Sequence, residues 1–216
     1  MVEAMIYLLR TGVAWRDLPS VFGPWSSVYT RWRRWVQLGI WTAILRVLAR
    51  SATGALRAVD VTFIKVHQHG ANPAGGQEAQ AIGRTKGGLN TKLHAVVDGA
   101  GKLIALVLTP GQVSELKVAA DLLANLCDVI VIADKAYDSD KLLEQLSKQY
   151  CDVCIPAKAN RRNPLPFNRQ WYRKRHRVEN FFARAKRWKR FATRYEKTLS
   201  SFLAVASLVA VIDWLF

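Results

Sequence analysis

The chain has 216 residues, half of them apolar, and its 32 Lys and Arg against 16 Asp and Glu give a formal charge of +16. A chain of this length and apolar content can bury a core, which excludes a disordered protein. The charge indicates a polyanionic partner. Three cysteines, an odd number, in a chain without a secretory signal favour a reduced, cytoplasmic setting.

Residues 1–54 have the pattern of a small helical region. Helical periodicity covers 2–10 and about 25–50, and glycines and prolines break the chain between them. In "WSSVYTRWRRWVQLG", basic residues alternate with aromatic ones, which fits a helix that lies on a phosphate backbone. The basic residues are Arg31, Arg33 and Arg34. An amphipathic helix packed on its neighbour through Trp32 and Trp35 fits equally well, since the two interpretations use different faces.

From residue 55 onward, the pattern changes to strands that alternate with helices. Three strands joined by hairpin-length turns are followed by alternating helices and strands, which predicts an α/β fold with a mixed sheet flanked by helices over 55–216. The predicted strands are 56–66, 91–98, 102–109, 128–134 and 152–158. The predicted helices are 114–126, 139–150 and 172–191.

Two other segments of this region are unusual. The stretch 67–90 is too long and too rich in glycine for an ordinary connection, and such loops are usually functional or mobile. The stretch 200–216 is apolar, but it is shorter than the roughly 20 residues of a membrane span and carries Asp213. It predicts a buried helix, and we expect no membrane partner.

Two aspartates occupy positions suited to chemistry. Asp60 lies within an apolar, β-branched strand, where an ionised group is costly unless it is paired or binds a metal. Asp134 ends the strand "VIVIAD", at the edge of the sheet where α/β folds place ligands. An N-cap or turn role is an alternative for Asp134 and is more credible for Asp138, for Asp140 and for Asp98, which begins a "DG" turn.

The basic segment, Lys158–Lys197, holds fifteen Lys and Arg against Glu179 and Glu196, so +13 of the formal charge lies there. On one continuous helix over 172–191, four of its residues share a 60° stripe, namely Tyr172, Arg175, Glu179 and Lys186. A buried stripe opposite contains Val178, Phe181, Ala185 and Trp188. Glu179 then suits a carboxylate at a nucleic-acid surface, although an exposed helical ion pair with Arg175 explains it as well.

Several motifs occur together along the chain: "WRDLP", "FGPW", "DVTFIKVHQHG", "IGRTKGGLNTKLHAVVD", "LTPGQV", "ADKAYDS" and "HRVENFF". They resemble the DDE transposases of bacterial insertion sequences, specifically the fifth insertion-sequence family, over essentially the whole chain. The most specific motif is the family signature Tyr, two residues, Arg, three residues, Glu, six residues, Lys. It is matched at every spacing by Tyr172, Arg175, Glu179 and Lys186.

This resemblance implies an RNase H-like catalytic core in which Asp60, Asp134 and Glu179 are the three acids. It also implies a helical N-terminal region that helps bind the transposon ends. Relatives usually carry several dozen residues before the segment "LLRTG", so the resemblance implies that this region is shortened here. Val61 stands where relatives often have Ser.

Three carboxylates from separate elements repel one another unless divalent cations neutralise them, and hard oxygen ligands select Mg²⁺ or Mn²⁺. Two such ions would activate the attacking oxygen and stabilise the leaving oxygen in a displacement at phosphorus. Arg175 and Lys186 would position phosphates, and Tyr172 would stack or hydrogen-bond near the cut.

We therefore expect a transposase that frees a 3′-hydroxyl at the element ends and transfers it to target DNA. Its partners would be the terminal inverted repeats, the target DNA and further copies of the chain, at the bacterial nucleoid in the cytoplasm. Two alternatives are a metal-dependent nuclease with the same core and a shortened DNA-binding product that inhibits transposition.

Two further residue pairs have spacings that also occur in metal sites. Cys151 and Cys154 form "CDVC" without a second pair, which favours a structural role for two small apolar residues. His67 and His69 form "HQH" at a junction between strand and loop, where histidines more often donate to phosphate or backbone than bind a catalytic metal.

Overall fold

The structure is a computed structural model and describes residues 1–164 and 166–216. The helices within these residues are α1 (Val2–Thr11), α2 (Trp25–Gln37), α3 (Ile40–Ala49), α4 (Glu115–Leu122), α5 (Asp140–Lys148), α6 (Arg169–Arg173), α7 (His176–Ala185), α8 (Lys189–Ala192) and α9 (Leu199–Leu215). The strands are β1 (Leu56–Val66), β2 (Gly83–Thr85), β3 (Gly88–Val97), β4 (Leu103–Pro110), β5 (Ile130–Ile132), β6 (Asp152–Cys154) and β7 (Thr193–Arg194).

Strand β1 is the centre of the sheet and occupies the predicted residues. β3 pairs with it antiparallel, with Ala95 opposite Asp60, and β5 pairs with it parallel, with Ile132 opposite Ala58. β3 also carries β2 and β4, and β5 carries β6. An antiparallel β1–β3–β4 meander next to two parallel strands, which are reached through α4 and α5, is an RNase H-like arrangement. The predicted fold class is confirmed.

The two faces of β1 pack against different helices, because successive side chains of a strand point to opposite faces. Ala58 and Ile64 belong to a core that also contains residues of α7 and α9. Val59 belongs to a second core with residues of α4 and α5. Asp60 has the parity of Ala58 and Ile64, so it faces α7.

Helix α9 joins the N-terminal helices to the sheet. Its residues are buried along most of its length, and α3 packs beside it in the same core that reaches β1. The Trp214 indole donates to the Leu103 carbonyl at 2.7 Å, and Arg184 pairs with Asp213 at 2.6 Å. The predicted buried helix is confirmed. Among the described residues, no helix combines the length and apolar character needed to cross a membrane.

The N-terminal region forms helices as predicted, but the second predicted helical segment is divided into two helices. Gly39, at a left-handed φ of 63°, separates α2 from α3, where the sequence predicted one segment. Trp32 is buried, and Trp35 packs edge-on against Trp41 at 5.5 Å. The packing interpretation of α2 is therefore confirmed. Its three arginines, Arg31, Arg33 and Arg34, are exposed.

The prediction of one continuous helix over 172–191 is wrong, because the segment forms α6, α7 and α8. The turn before α7 is closed by bonds between residues three apart, from Arg175 N–H to Tyr172 O at 2.9 Å and from Val178 N–H to Arg175 O at 3.1 Å. This is the tighter 3₁₀ geometry, which turns each residue by more than 100°. An extended Trp188 separates α7 from α8. The predicted stripe is therefore not one surface of one helix.

Most of the predicted buried stripe is confirmed, although the predicted single helix is not. Val178, Phe181 and Ala185 are buried, as predicted, because they lie within the intact α7. Trp188 lies at the break and is only half-buried. The other differences are smaller. The strands predicted at 128–134 and 152–158 keep three residues each, and the long loop contains β2 and the start of β3.

Two arginines of the basic segment are buried. Arg190 pairs with Glu196 at 2.6 Å and donates to the Val13 carbonyl at 2.9 Å. Arg194 is fully buried and donates to Thr91 Oγ1 at 2.6 Å and to the Glu196 carbonyl at 3.0 Å. The expectation that the basic residues around Glu179 hold a polyanion is therefore wrong for these two, which are bound to the protein's own oxygens.

Asp98 organises the turn between β3 and β4, as its "DG" motif predicted. Its carboxylate accepts bonds from the N–H groups of Thr53, Ala100 and Lys102, each at 2.9 Å, and from the Thr53 hydroxyl at 3.2 Å. We expect Asp98→Ala to lower the free energy of unfolding by about 3 kcal/mol, because it leaves these donors without a partner. Urea unfolding measures this loss, and exposed Asp121→Ala is the control, with a change within about 0.5 kcal/mol.

His94 provides a second test of the packing. It is fully buried in β3 with Nε2 2.9 Å from Thr109 Oγ1, and burial, helped by Lys92, lowers its pKa from 6.5 to about 4. The folded state binds fewer protons, so this stability is present above pH 6.5 and is lost as the pH falls to 4. His94→Gln should remove about 3 kcal/mol of the pH dependence in this window. Unfolding titrations check this, and exposed His176→Gln should keep the dependence.

Candidate active site and nucleic-acid interface

Asp60 lies in the middle of β1, and its side chain is 16% exposed. Its Oδ1 accepts from the Val61 N–H at 2.8 Å, and its Oδ2 accepts from Arg175 Nη1. Burial raises the pKa of the Asp60 carboxyl, the Val61 N–H and Arg175 lower it, and the charges of Asp134 and Glu179 raise it again. The pKa of Asp60 therefore depends on the charges of both other predicted acids.

Glu179 lies in the first turn of α7 and is 50% exposed. Its Oε1 accepts from Arg175 Nη2, so the helical ion pair that the spacing allows is present. The same guanidinium, however, reaches Asp60, which is 115 residues earlier in the chain. The structure thus places Asp60 and Glu179 on two sides of one arginine, and a local ion pair explains only half of this contact.

Asp134 follows β5 directly and caps the 3₁₀ turn Lys135–Tyr137 by accepting from the Ala136 N–H at 2.8 Å. The capping role, which the sequence favoured for other aspartates, thus applies to Asp134 as well. Capping uses Oδ1 and fixes the carboxylate at the end of the strand. Asp134 is close enough to Asp60 for its charge to raise the pKa of that carboxyl.

Asp138 is a clamp between two loops and not an N-cap. It accepts from the Lys158 N–H at 2.8 Å and from Arg161 Nε at 3.1 Å. Arg161 also pairs with Asp140 at 2.6 Å. These ion pairs fasten the loop after β6 to the loop that begins with Asp134, and they occupy Arg161 with the protein's own carboxylates.

Glu115, at the start of α4, is a carboxylate near the site that the sequence did not single out. Burial raises its pKa, and the charge of Asp134 raises it further, while Lys92 at 3.8 Å lowers it. Tyr137 is fully buried, and burial also raises the pKa of its phenol, to which the charges of Glu115 and Asp60 add. The only sequence signal was an acid in the first turn of a helix, where acids are common.

The carboxylates have the donor chemistry for a hard divalent cation, because Asp and Glu oxygens are its preferred ligands. In the described residues, however, no group of three or more Asp, Glu, His or Cys side chains is close enough to hold a metal ion as it stands. Arg175 lies between Asp60 and Glu179. The carboxylates fit a divalent cation as ligands, and the guanidinium of Arg175 binds two of them, Asp60 and Glu179.

The cysteines and histidines with metal-type spacing make other contacts. Cys151 and Cys154 are buried, and Cys154 Sγ is 3.2 Å from the Asn168 carbonyl. The ring of His67 stacks between His69 and Tyr195, with centroids 4.7 Å from each.

The remaining predicted DNA-contact residues lie in α6, at the end of α7 and in α2. Tyr172 is half-buried and packs edge-on against Phe167 at 5.5 Å, and Lys186 is exposed at the end of α7. Arg33 lines a cleft of about 790 Å³ together with His67, His69 and Lys197. This cleft lies between α2 and the loop after β1, so one predicted arginine of the N-terminal region faces a loop of the sheet region.

Comparison with known proteins finds similarity to transposases. Residues 52–214 match the family model described as "Transposase DDE domain", and residues 1–45 match the one described as "Putative transposase of IS4/5 family". Over 129 residues the chain is 36% identical to the "Putative transposase for insertion sequence element IS6501" of Brucella ovis, covering 59% of this chain and 99% of that protein. It is also 37% identical over 70 residues to "Uncharacterized protein y4sN" of Sinorhizobium fredii, covering 32% of this chain and 56% of that protein.

Among solved structures, the chain is similar to the piggyBac transposase synaptic complex with hairpin DNA, with a TM-score of 0.46 and 11% identity over 74% of this chain and 48% of that one. It is also similar to the Mos1 transposase paired-end complex with left transposon end, with a TM-score of 0.33 and 12% identity over 99% of this chain and 78% of that one. The chain spans about half the length of the piggyBac chain.

Proposed function

The chain belongs to the family of transposases with a DDE domain, as its motifs predicted, and on this premise we propose that it cleaves insertion-sequence ends and joins the freed 3′-hydroxyl to target DNA. The observation that carries the proposal is the contact of Arg175 with Asp60 and Glu179. It brings a carboxylate from the central strand and one from α7 to the same group, next to the strand end that carries Asp134.

In this proposal Asp60, Asp134 and Glu179 hold divalent cations, Mg²⁺ or Mn²⁺. The bound cations supply activation of an oxygen nucleophile and stabilisation of the leaving oxygen at phosphorus. The chain contributes the positions of the acids. Asp60 is held in the central strand opposite Ala95 of β3, Asp134 by its turn and Glu179 by its helix, so three ordered elements aim the carboxylates.

The basic side chains bind and orient the DNA in this proposal. Lys186 at the end of α7 and the arginines of α2 are exposed, and exposed cations bind phosphates without reading sequence. Tyr172 stacks or hydrogen-bonds near the cut. We propose that residues 1–54 help bind the terminal inverted repeats and that residues 55–216 form the catalytic domain. The protein would act as a homo-oligomer on DNA at the bacterial nucleoid.

The first test of this function removes the acids while keeping their size. Asp60→Asn, Asp134→Asn and Glu179→Gln should each reduce cleavage of labelled element ends in Mn²⁺ by at least about 100-fold without abolishing DNA binding, because the acids bind metal and not phosphate. Nicked and joined products are separated on denaturing gels.

The matched control is Asp121→Asn, an exposed carboxylate of α4, which should cleave like the wild type. Wild-type cleavage by Asp134→Asn would contradict the site. Nicked ends that are never joined to a second DNA would identify a nuclease instead. If the acids affect no activity of the chain, the protein is a non-catalytic DNA binder.

A second test concerns the phosphate contacts. Lys186→Ala and Arg34→Ala should each weaken DNA binding and reduce the slope of log Kobs against log salt by about 1, because each lost contact releases one counterion fewer. Fluorescence anisotropy at several salt concentrations measures the slope. Lys148→Ala, which removes an exposed lysine paired with Glu144 on α5, should leave it unchanged. Weaker binding with an unaltered slope would argue against direct contact.

A further inference from the structure

The guanidinium of Arg175 uses the carboxylate oxygens that a metal ion would need. Its Nη1 donates to Asp60 Oδ2 and its Nη2 to Glu179 Oε1. The other Asp60 oxygen, Oδ1, already accepts from the Val61 N–H at 2.8 Å. Each oxygen of Asp60 therefore already accepts one hydrogen bond, and a cation that binds Oδ2 competes with the arginine for it.

The contact is partly buried on one side and open on the other. The side chains of Arg175 and Asp60 are 24% and 16% exposed, whereas Glu179 is 50% exposed. Arg175 lies in the 3₁₀-type turn between α6 and α7, whose backbone bonds do not depend on where its side chain points. The long side chain can thus leave the acids on the Glu179 side without a change in the helices.

We propose that Arg175 competes with the divalent cation for Asp60 and Glu179, and that a DNA phosphate ends this competition by binding the guanidinium. A phosphate suits this exchange, because the planar fork of an arginine binds it through two parallel bonds. Metal binding and DNA binding are then coupled through one side chain. The proposal rests on the proposed function, since it takes the acids to be metal ligands.

The coupling acts in both directions, because linkage between two ligands is reciprocal. The DNA-free protein binds divalent cations weakly, with Arg175 as the internal counter-charge of the acids. Bound DNA frees the acids, and bound metal frees the arginine for DNA. DNA therefore tightens metal binding, and metal tightens DNA binding, through the same arginine.

The test measures metal binding itself, with Mn²⁺ as the probe and the electron paramagnetic resonance signal of free Mn²⁺ as the readout. Without DNA, Arg175→Gln should bind Mn²⁺ about tenfold or more tightly than the wild type, within the usual range of coupling between sites. Arg173→Gln is the matched control. It removes the same charge from an exposed side chain that forms no ion pair in the described part of the chain, so it should change the Kd less than about threefold.

The second arm adds a duplex that carries an element end. DNA should tighten Mn²⁺ binding to the wild type and to Arg173→Gln, and should do so at least about fivefold less in Arg175→Gln, where there is no arginine to withdraw. Arg175→Lys keeps the charge but cannot bridge two carboxylates, so its Kd should lie between those of the wild type and Arg175→Gln. This variant serves as the test if circular dichroism shows that Arg175→Gln does not fold.

Unchanged Mn²⁺ affinity in both Arg175 variants, or an equal effect of DNA on all proteins, would overturn the competition. Asp60→Asn separates this failure from that of the function. If Asp60→Asn loses Mn²⁺ binding while the Arg175 variants resemble the wild type, the inference falls and the proposed function stands. If Asp60→Asn binds Mn²⁺ like the wild type, both fall.

Discussion

A carboxylate in the middle of a central strand has to be neutralised, and Asp60 imposes this requirement on the rest of the site. Pairing with Ala95 of β3 holds Asp60 on the core face that it shares with Ala58 and Ile64. A cationic group from another element therefore has to approach the carboxylate. The tight turn between α6 and α7 delivers Arg175, and the first turn of α7 adds Glu179 to the same guanidinium. The position of one aspartate thus accounts for the contact of Arg175 with the sheet, while the apolar residues of α7 pack in the core.

The parts of the site that the sequence predicts well depend on local patterns. β1 was found residue for residue because a run of β-branched and apolar side chains has few alternatives to a buried strand. The parity of that strand places Asp60 on the face of α7. The buried stripe of α7 was found from helical spacing, and the turn at Asp98 from its "DG" motif. In each case the residues that decide the structure lie within a few positions of one another.

The parts that the sequence could not predict depend on partners far along the chain. The spacing of Arg175 and Glu179 reveals their helical pair, but nothing local reveals Asp60 as the second partner. Likewise, a run of arginines does not show which of them find a buried oxygen. Arg190 and Arg194 bind buried oxygens, so they do not lie on the surface where their charges predicted them. The breaks at both ends of α7 follow from such contacts and turns, which is why the predicted single helix was wrong.

Helix α9 has a consequence for how the protein is made. The apolar faces of α2 and α3 find their packing partner roughly 150 residues later in the chain, since α3 ends at Ala49 and α9 begins at Leu199. At about 5–20 residues per second, a ribosome needs on the order of 10 s to synthesise that interval. During this time Trp41 and Leu45 lack the helix that covers them. The nascent N-terminal helices are therefore a natural substrate for chaperones, and the arginines of α2 acquire their fixed orientation only after α9 has left the ribosome.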